Sequence, residues 1–390
     1  MIGADASGQN AFGGAVLAVR RLTLTNFRCY GFLRLDPDSR PVVLTGPNGA
    51  GKTNVLEALS FLAPGRGFRR ATLGDVAYRA GGETAPSGLP WAVAVRLDGP
   101  QGPVEIGTGR ESGSERRSIR LDGDAAKVAD LARFVSVLWL TPAMDRLFTE
   151  GTSGRRRFMD RLVLSLERDH AAHAGAYDHA MRERTRLLKD GIGEPAWMGA
   201  LEDAMAIHGT AMAGARKRAI TQLDSLCRTH DGAFPWARLA VDGIIESWLE
   251  TLSEDQARDR FRRLLADNRN RDAGAQAATQ GPHRSDLVVR HGPKDAPAGQ
   301  CSTGEQKAVL ISILLSQARL HADTHGTAPL MLLDEVAAHL DQTRRNALFD
   351  DLADLSAQSW LTGTDAALFA GMGDRAQYYH VADAAITSSP

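Results

Sequence analysis

The chain has 390 residues, 43% of them hydrophobic and 24% charged, the balance of a globular protein large enough to bury a core without disulfides. A formal net charge of −1 excludes the bulk basic footprint of many nucleic-acid binders, so any DNA surface must come from local clusters of arginine. Cys29, Cys227 and Cys301 share no metal-type spacing, no run reaches the roughly 18 apolar residues of a membrane span, and the N-terminus lacks a signal-peptide pattern; a reduced, cytoplasmic protein away from membranes is expected.

Residues 1–14 are small, polar and glycine-rich and read as an N-terminal extension. The alternation over 16–26 suits a half-buried strand, and the apolar run 40–45 suits a buried one. A glycine-rich turn follows, then Val55, Leu56, Leu59 and Leu62 at helical spacing. Strands are expected at 91–97, 103–107, 118–121 and 135–140. The middle of the chain is helical: Phe158, Leu162, Leu166, His170, Tyr177, Met181 and Leu188 mark one face of a single helix, roughly 45 Å long at ~1.5 Å per residue. Leu201 to Leu226 repeats at steps of four and three, close to a coiled-coil period, and the turn-like DGIGEP at 190–195 joins the two as a helical hairpin. A third helix is expected at about 254–265, then a strand at 286–289, a helix at 303–320 and short strands at 330–333 and 359–362.

Gly46, Pro47, Asn48, Gly49, Ala50, Gly51, Lys52 and Thr53 match G-x-x-x-x-G-K-[ST] between a strand and a helix, the context a phosphate loop requires. The glycines let backbone N–H groups approach phosphates, and the helix start adds unpaired donors and a favourable dipole. Lys52 should reach the β- and γ-phosphates of ATP, and Thr53 should ligate Mg²⁺. MLLDE at 331–335 is a buried strand ending in two acids: Asp334 can hold Mg²⁺ and Glu335 can act as general base. By themselves these two acids would equally suit an exposed strand end. Cys301 to Lys307 (CSTGEQK) opens a helix, and its Ser302, Gly304 and Gln306 resemble the S-G-x-Q core of the ABC signature, which faces the ATP of an opposite subunit. A plain helix cap is the alternative, because serine followed three residues later by glutamate caps well. Leu340 and Asp341 resemble the ABC D-loop. SWLTGTD at 359–365 carries Thr362, Gly363 and Thr364 where ABC transporters usually place a switch histidine.

These motifs, in this order, resemble the RecF family of SMC-like ABC ATPases. LTLTNFRCY (22–30), the loop continuing through Asn54 into Leu56-Glu57-Ala58, GRRRFMD (154–160) and TQGPHRSD (279–286) carry the likeness. Ala143, Met144 and Glu305 depart from it, Glu305 standing where glutamine is commoner. The resemblance implies an α/β, two-lobed ABC-type head, with an N-terminal lobe at 15–154, an inserted helical arm at 155–272 and a C-terminal lobe at 273–390. It further implies an ATP-dependent homodimer with two nucleotides sandwiched between heads, slow hydrolysis, and a role at single-stranded gaps or DNA junctions. There it would promote recombinase loading with RecO- and RecR-type mediators and the SOS response.

Arginines cluster at Arg155–Arg157 with Arg161, at Arg182, Arg184 and Arg186, at Arg216 and Arg218 with Lys217, and at Arg258, Arg260, Arg262 and Arg263. Guanidinium groups suit phosphate oxygens, and Arg155, Arg156, Arg184 and Lys217 are the candidate DNA contacts; a solvated helix face with acidic neighbours is the alternative. His283 and Arg284 suit a nucleotide contact and a structural role equally. An ATP-binding subunit of a membrane transporter is the competing class, and the inserted helices and missing histidine argue against it.

Overall fold

The computed structural model describes residues 16–79, 89–191, 194–229 and 232–389, so the N-terminal extension and part of the turn at 190–195 lie outside the described residues. The chain divides into two compact units, one of Met1–Asp145, Gly232–Phe234 and Leu314–Pro390, the other of Arg146–Asp231 and Pro235–Ile313. In chain order the first unit begins with β1 (Ala18–Phe27), β2 (Tyr30–Leu35), β3 (Val42–Thr45), α1 (Lys52–Ser60), β4 (Trp91–Gly99), β5 (Gly102–Arg110), β6 (Arg117–Leu121), β7 (Asp124–Ala125) and β8 (Val137–Leu140). Next come α2 (Thr152–Leu164), α3 (His170–Asp190), α4 (Pro195–Thr229), β9 (Ala237–Asp242), α5 (Ile244–Trp248), α6 (Glu254–Asp267), α7 (Arg269–Ala275), β10 (Asp286–His291), β11 (Ala296–Pro297) and α8 (Thr303–His325). The chain closes with β12 (Leu330–Leu333), α9 (Gln342–Asp354), β13 (Ser359–Gly363), β14 (Gln377–Ala382) and β15 (Ala385–Ser389).

The first unit holds two sheets. One is antiparallel, in the order β2-β1-β4-β5-β6-β7; β4 alternates buried and exposed along its length, as a sheet covered on one face requires. The other has the order β15-β14-β3-β13-β12-β8 and is parallel from β14 to β8. Its β3, β12 and β13 are buried at every residue, which is why they read as continuous apolar runs. A core in this unit joins Leu22 and Leu24 of β1, Val55 and Leu59 of α1, Val93 of β4 and Leu332 of β12. Gln358 ties the sheets together: its side-chain amide exchanges hydrogen bonds with the backbone of Val19 at 2.8 and 3.1 Å and donates to Asp38 O at 2.7 Å.

The second unit is mostly helical, with its own core of Tyr177, Ala180, Met205, Met212 and Phe261. Gly209 lets α3 and α6 approach α4 closely: a Cβ there would lie 2.8 Å from the Phe261 ring and 3.0 Å from the Tyr177 ring. The single helix expected from 158 to 188 is two helices. α2 stops at Leu164, where Ser165 turns its hydroxyl back onto Leu162 O at 2.8 Å, and α3 starts at His170. Across the break the His170 ring meets Asp160 Oδ1 at 2.9 Å. The apolar spacing carries through the interruption, so periodicity alone could not locate it. The residues expected as an arm, 155–272, fall inside this unit except for Gly232–Phe234, and the unit also takes in 146–154 and 273–313. No helix among the described residues is long and apolar enough to cross a membrane.

Candidate nucleotide site

The parallel sheet places the phosphate loop. β3 ends at Thr45, and the next residues turn through left-handed glycines, Gly46 (φ 145°), Gly49 (φ 81°) and Gly51 (φ 114°), into α1. Two of these positions have no space for a side chain. A Cβ on Gly46 would lie 2.0 Å from Val381 O on the neighbouring β14, and one on Gly51 would lie 2.5 Å from the Tyr30 hydroxyl. Around Gly49 nothing lies within 4 Å of such a Cβ, so this stretch of the loop is open. Lys52 is buried and folds over the turn, donating to Gly46 O at 2.7 Å and Pro47 O at 2.8 Å. Burial pulls its ammonium below the ordinary lysine value, opposed by the charges of Glu335 and Asp334.

The strand order β3-β13-β12 puts β13 between the loop and the acids. Thr362, near the end of β13, therefore sits where it can reach both. Its hydroxyl donates to Asp334 Oδ1 at 2.7 Å and accepts the Glu335 backbone N–H at 2.9 Å. Thr53 donates to the same Asp334 oxygen at 2.9 Å. Burial raises the Asp334 carboxyl above the usual range, against the lowering effect of the two threonine hydroxyls. Glu335 takes a left-handed conformation (φ 50°) immediately after the strand. Sequence reasoning treated Thr362 only as the place where a histidine was missing.

Behind the loop, α1 is braced through Glu57, a fully buried carboxylate. Arg28, of the Asn-Phe-Arg run, grips it with two hydrogen bonds of 2.9 and 2.5 Å, and Arg69 adds a third at 2.8 Å. Arg69 also donates to Asn54 Oδ1 at 2.7 Å, and Asn54 in turn meets Cys29 Sγ at 3.1 Å. Asn54 thus belongs to the bracing of the loop in this structure. Arg69 could not be singled out in the sequence, because it lies in a loop beside Arg70 and near Arg66, with no periodic signal to say which arginine turns inward.

A hydroxyl and a carboxylate converging within hydrogen-bond distance are the hard oxygen donors that Mg²⁺ prefers, so Thr53 and Asp334 fit that cation. Left-handed glycines beside an open loop face and a buried ammonium fit the phosphates of a nucleotide.

The signature segment lies in the second unit. Ser302 precedes α8 and forms a capping box with Glu305: Glu305 Oε2 accepts both the Ser302 N–H and hydroxyl at 3.0 Å. Gly304 is exposed, and Gln306 is buried with its amide donating to Cys301 O at 2.8 Å.

The candidate DNA contacts fare unevenly. Arg184 is fully buried, held by Glu202 at 3.1 Å, Asp272 at 2.7 Å and Leu265 O at 2.6 Å, so it cannot reach a phosphate. Helical spacing could not reveal this, because a long arginine on a helix reads the same whether it meets water or a buried acid. Arg155 is engaged by both oxygens of Asp286, at 2.9 and 2.7 Å. Arg156 and Lys217 are half-buried and donate to the backbone oxygens of Ser285 and Leu249. Both ring nitrogens of His283 are taken up within the protein, by Tyr177 Oη at 2.7 Å and Ala278 O at 2.8 Å.

The family described as the RecF/RecN/SMC N terminal domain matches residues 18–387. The DNA replication and repair protein RecF of Rhizobium meliloti (strain 1021) is 50% identical over 373 residues, covering 94% of this chain and 98% of that protein. This chain belongs to the RecF family. RecF of Mesorhizobium japonicum is 49% identical over 368 residues, covering 93% of this chain and 96% of its own length. Among solved structures, the recombination mediator protein RecF-ATPrS of the RecFOR pathway superposes with a TM-score of 0.81 at 17% identity, over 97% of this chain and 99% of that one. An Smc head domain from Pyrococcus furiosus superposes with a TM-score of 0.55 at 14% identity, over 96% of each chain. The α/β fold is that of the two-lobed ABC-type ATPase head with inserted helices, as the RecF resemblance implied.

Proposed function

We propose that this chain is an ATP-driven switch of DNA replication and repair, in which ATP draws two copies together around DNA. The observation that carries the reading is the chain of bonds Thr53–Asp334–Thr362–Glu335, which joins the phosphate loop to both acids through the strand between them. In this reading Lys52 and the loop backbone of one copy grip the phosphates, and the exposed Ser302 and Gly304 of the other copy close over them; Gln306, expected there from its sequence, is buried and turned inward onto Cys301 O. Thr53 and Asp334 would hold Mg²⁺, which would supply positive charge to the phosphates. Glu335 accepts a proton from the attacking water, and Thr362 fixes the backbone from which Glu335 projects. A threonine in place of the transporter histidine fits slow hydrolysis that resets a clamp. The names of the RecF relatives, DNA replication and repair protein and recombination mediator protein of the RecFOR pathway, support DNA repair with RecO- and RecR-type mediators; action at gaps or junctions is part of the proposal. Of the candidate DNA contacts, Arg156 and Lys217 are part-exposed and donate to backbone oxygens, from which they can turn to a phosphate.

Light scattering of the purified chain with and without ATP tests the switch. Lys52→Ala should remain monomeric at ATP concentrations that pair the wild type. Glu335→Gln should dimerise normally and stay paired longer after ATP is diluted. A Lys52→Ala chain that dimerised with ATP as the wild type does would exclude this mechanism.

A further inference from the structure

Ser302 presents a backbone N–H and a hydroxyl at the start of a 23-residue helix, and one anion already takes both. Glu305 Oε2 accepts the two donors at 3.0 Å each, while its other oxygen meets Lys294 Nζ at 2.5 Å. Lys294, followed by the Ser302 donors, holds this carboxyl down to about 2, so it is ionised at any physiological pH. Ser302, Thr303 and Gly304 are exposed, so an approaching ligand meets these donors directly. Gln306 is buried, and its amide is turned inward onto Cys301 O.

A capping box accounts for part of this arrangement. It does not require a charge, because glutamine at the third helical position caps equally well, and it has no role for Lys294. The donors at a helix start favour one anion, and a second anion brought to the same donors is repelled by the first.

We propose that Glu305 is a built-in competitor for the incoming nucleotide phosphate: its carboxylate occupies the Ser302 donors until a phosphate held by the second copy displaces it, and Lys294 then retains the displaced carboxylate. This rests on the reading that Ser302 faces the second copy's nucleotide. Glu305 thereby sets the ATP concentration at which two copies close.

The test is the ATP midpoint of dimerisation for the wild type, Ser302→Ala, Glu305→Gln, Lys294→Met and the Glu305→Gln/Lys294→Met pair. Glu305→Gln keeps the cap and removes the charge, so the midpoint should fall about two- to fivefold, the range of an exposed charge pair. Lys294→Met should raise it, and the double variant should match Glu305→Gln, since Lys294 acts through Glu305. A midpoint for Glu305→Gln equal to or above the wild type, with Ser302→Ala impaired, overturns the competitor alone. A double variant as impaired as Lys294→Met overturns it too, because Lys294 would then act on the phosphate directly. A wild type that does not pair with ATP, or a Ser302→Ala chain that pairs normally, removes the reading of Ser302 and the competitor with it.

Discussion

Thr362 shows how much one hydroxyl can organise. It accepts from the Glu335 backbone and donates to Asp334, so the general-base candidate and the metal-binding candidate are positioned by the same atom. Thr362→Val keeps the shape and deletes that atom, leaving a buried N–H without its acceptor. The expected cost is about 1–3 kcal/mol, read as a lower urea midpoint, with a weaker Mg²⁺ dependence of nucleotide binding. Unchanged values for both would remove Thr362 from the site. In the sequence Thr362 was visible only as a departure, because its partners lie 27 and 28 residues away and meet it through strand order.

Among the elements, α3, α4 and α7 are joined by the buried cluster of Arg184, Glu202 and Asp272, which Arg269 and Thr279 extend. Removing Arg184 would leave Asp272 buried without a cation and Glu202 with Arg269 alone, so Arg184→Met should destabilise the helical unit by about 3–5 kcal/mol in chemical unfolding. DNA affinity of the folded protein, followed by fluorescence anisotropy across salt concentrations, should stay at the wild-type value. A tenfold loss of DNA affinity without loss of stability would return Arg184 to the DNA surface. The long helices themselves were legible because their apolar periods are strong. The break at Ser165 was not, because a hydroxyl folding back onto Leu162 O leaves the period undisturbed.

At the scale of the molecule, each of the two units has a hydrophobic core of its own, and the phosphate loop and both acids belong to the first. Trp91, Trp139 and Trp360 report on that unit, and Trp197, Trp236 and Trp248 on the other. A ligand that binds only the folded state stabilises what it binds, by about 2.7 kcal/mol at a hundredfold excess over Kd. ATP with Mg²⁺ should therefore raise the melting transition of a chain carrying Trp→Phe changes at 197, 236 and 248. Lys52→Ala in the same background should abolish the rise, and a rise that survived it would place the nucleotide elsewhere.

The sequence by itself marked the loop, the acids after β12 and the start of α8 as candidates, because these patterns depend on residues adjacent along the chain. It also marked the buried strands, whose apolar runs need no partner to be read. Only the tertiary structure decided which long-range partners make those residues a site. Gly46 must be glycine because β14, a strand without a clear sequence pattern, brings Val381 O against it. Thr362 becomes a bridge because β13 lies between β3 and β12. Arg184 is structural because helices distant in sequence enclose it. Local pattern fixes what a side chain can do, and long-range packing fixes which neighbour it does it with.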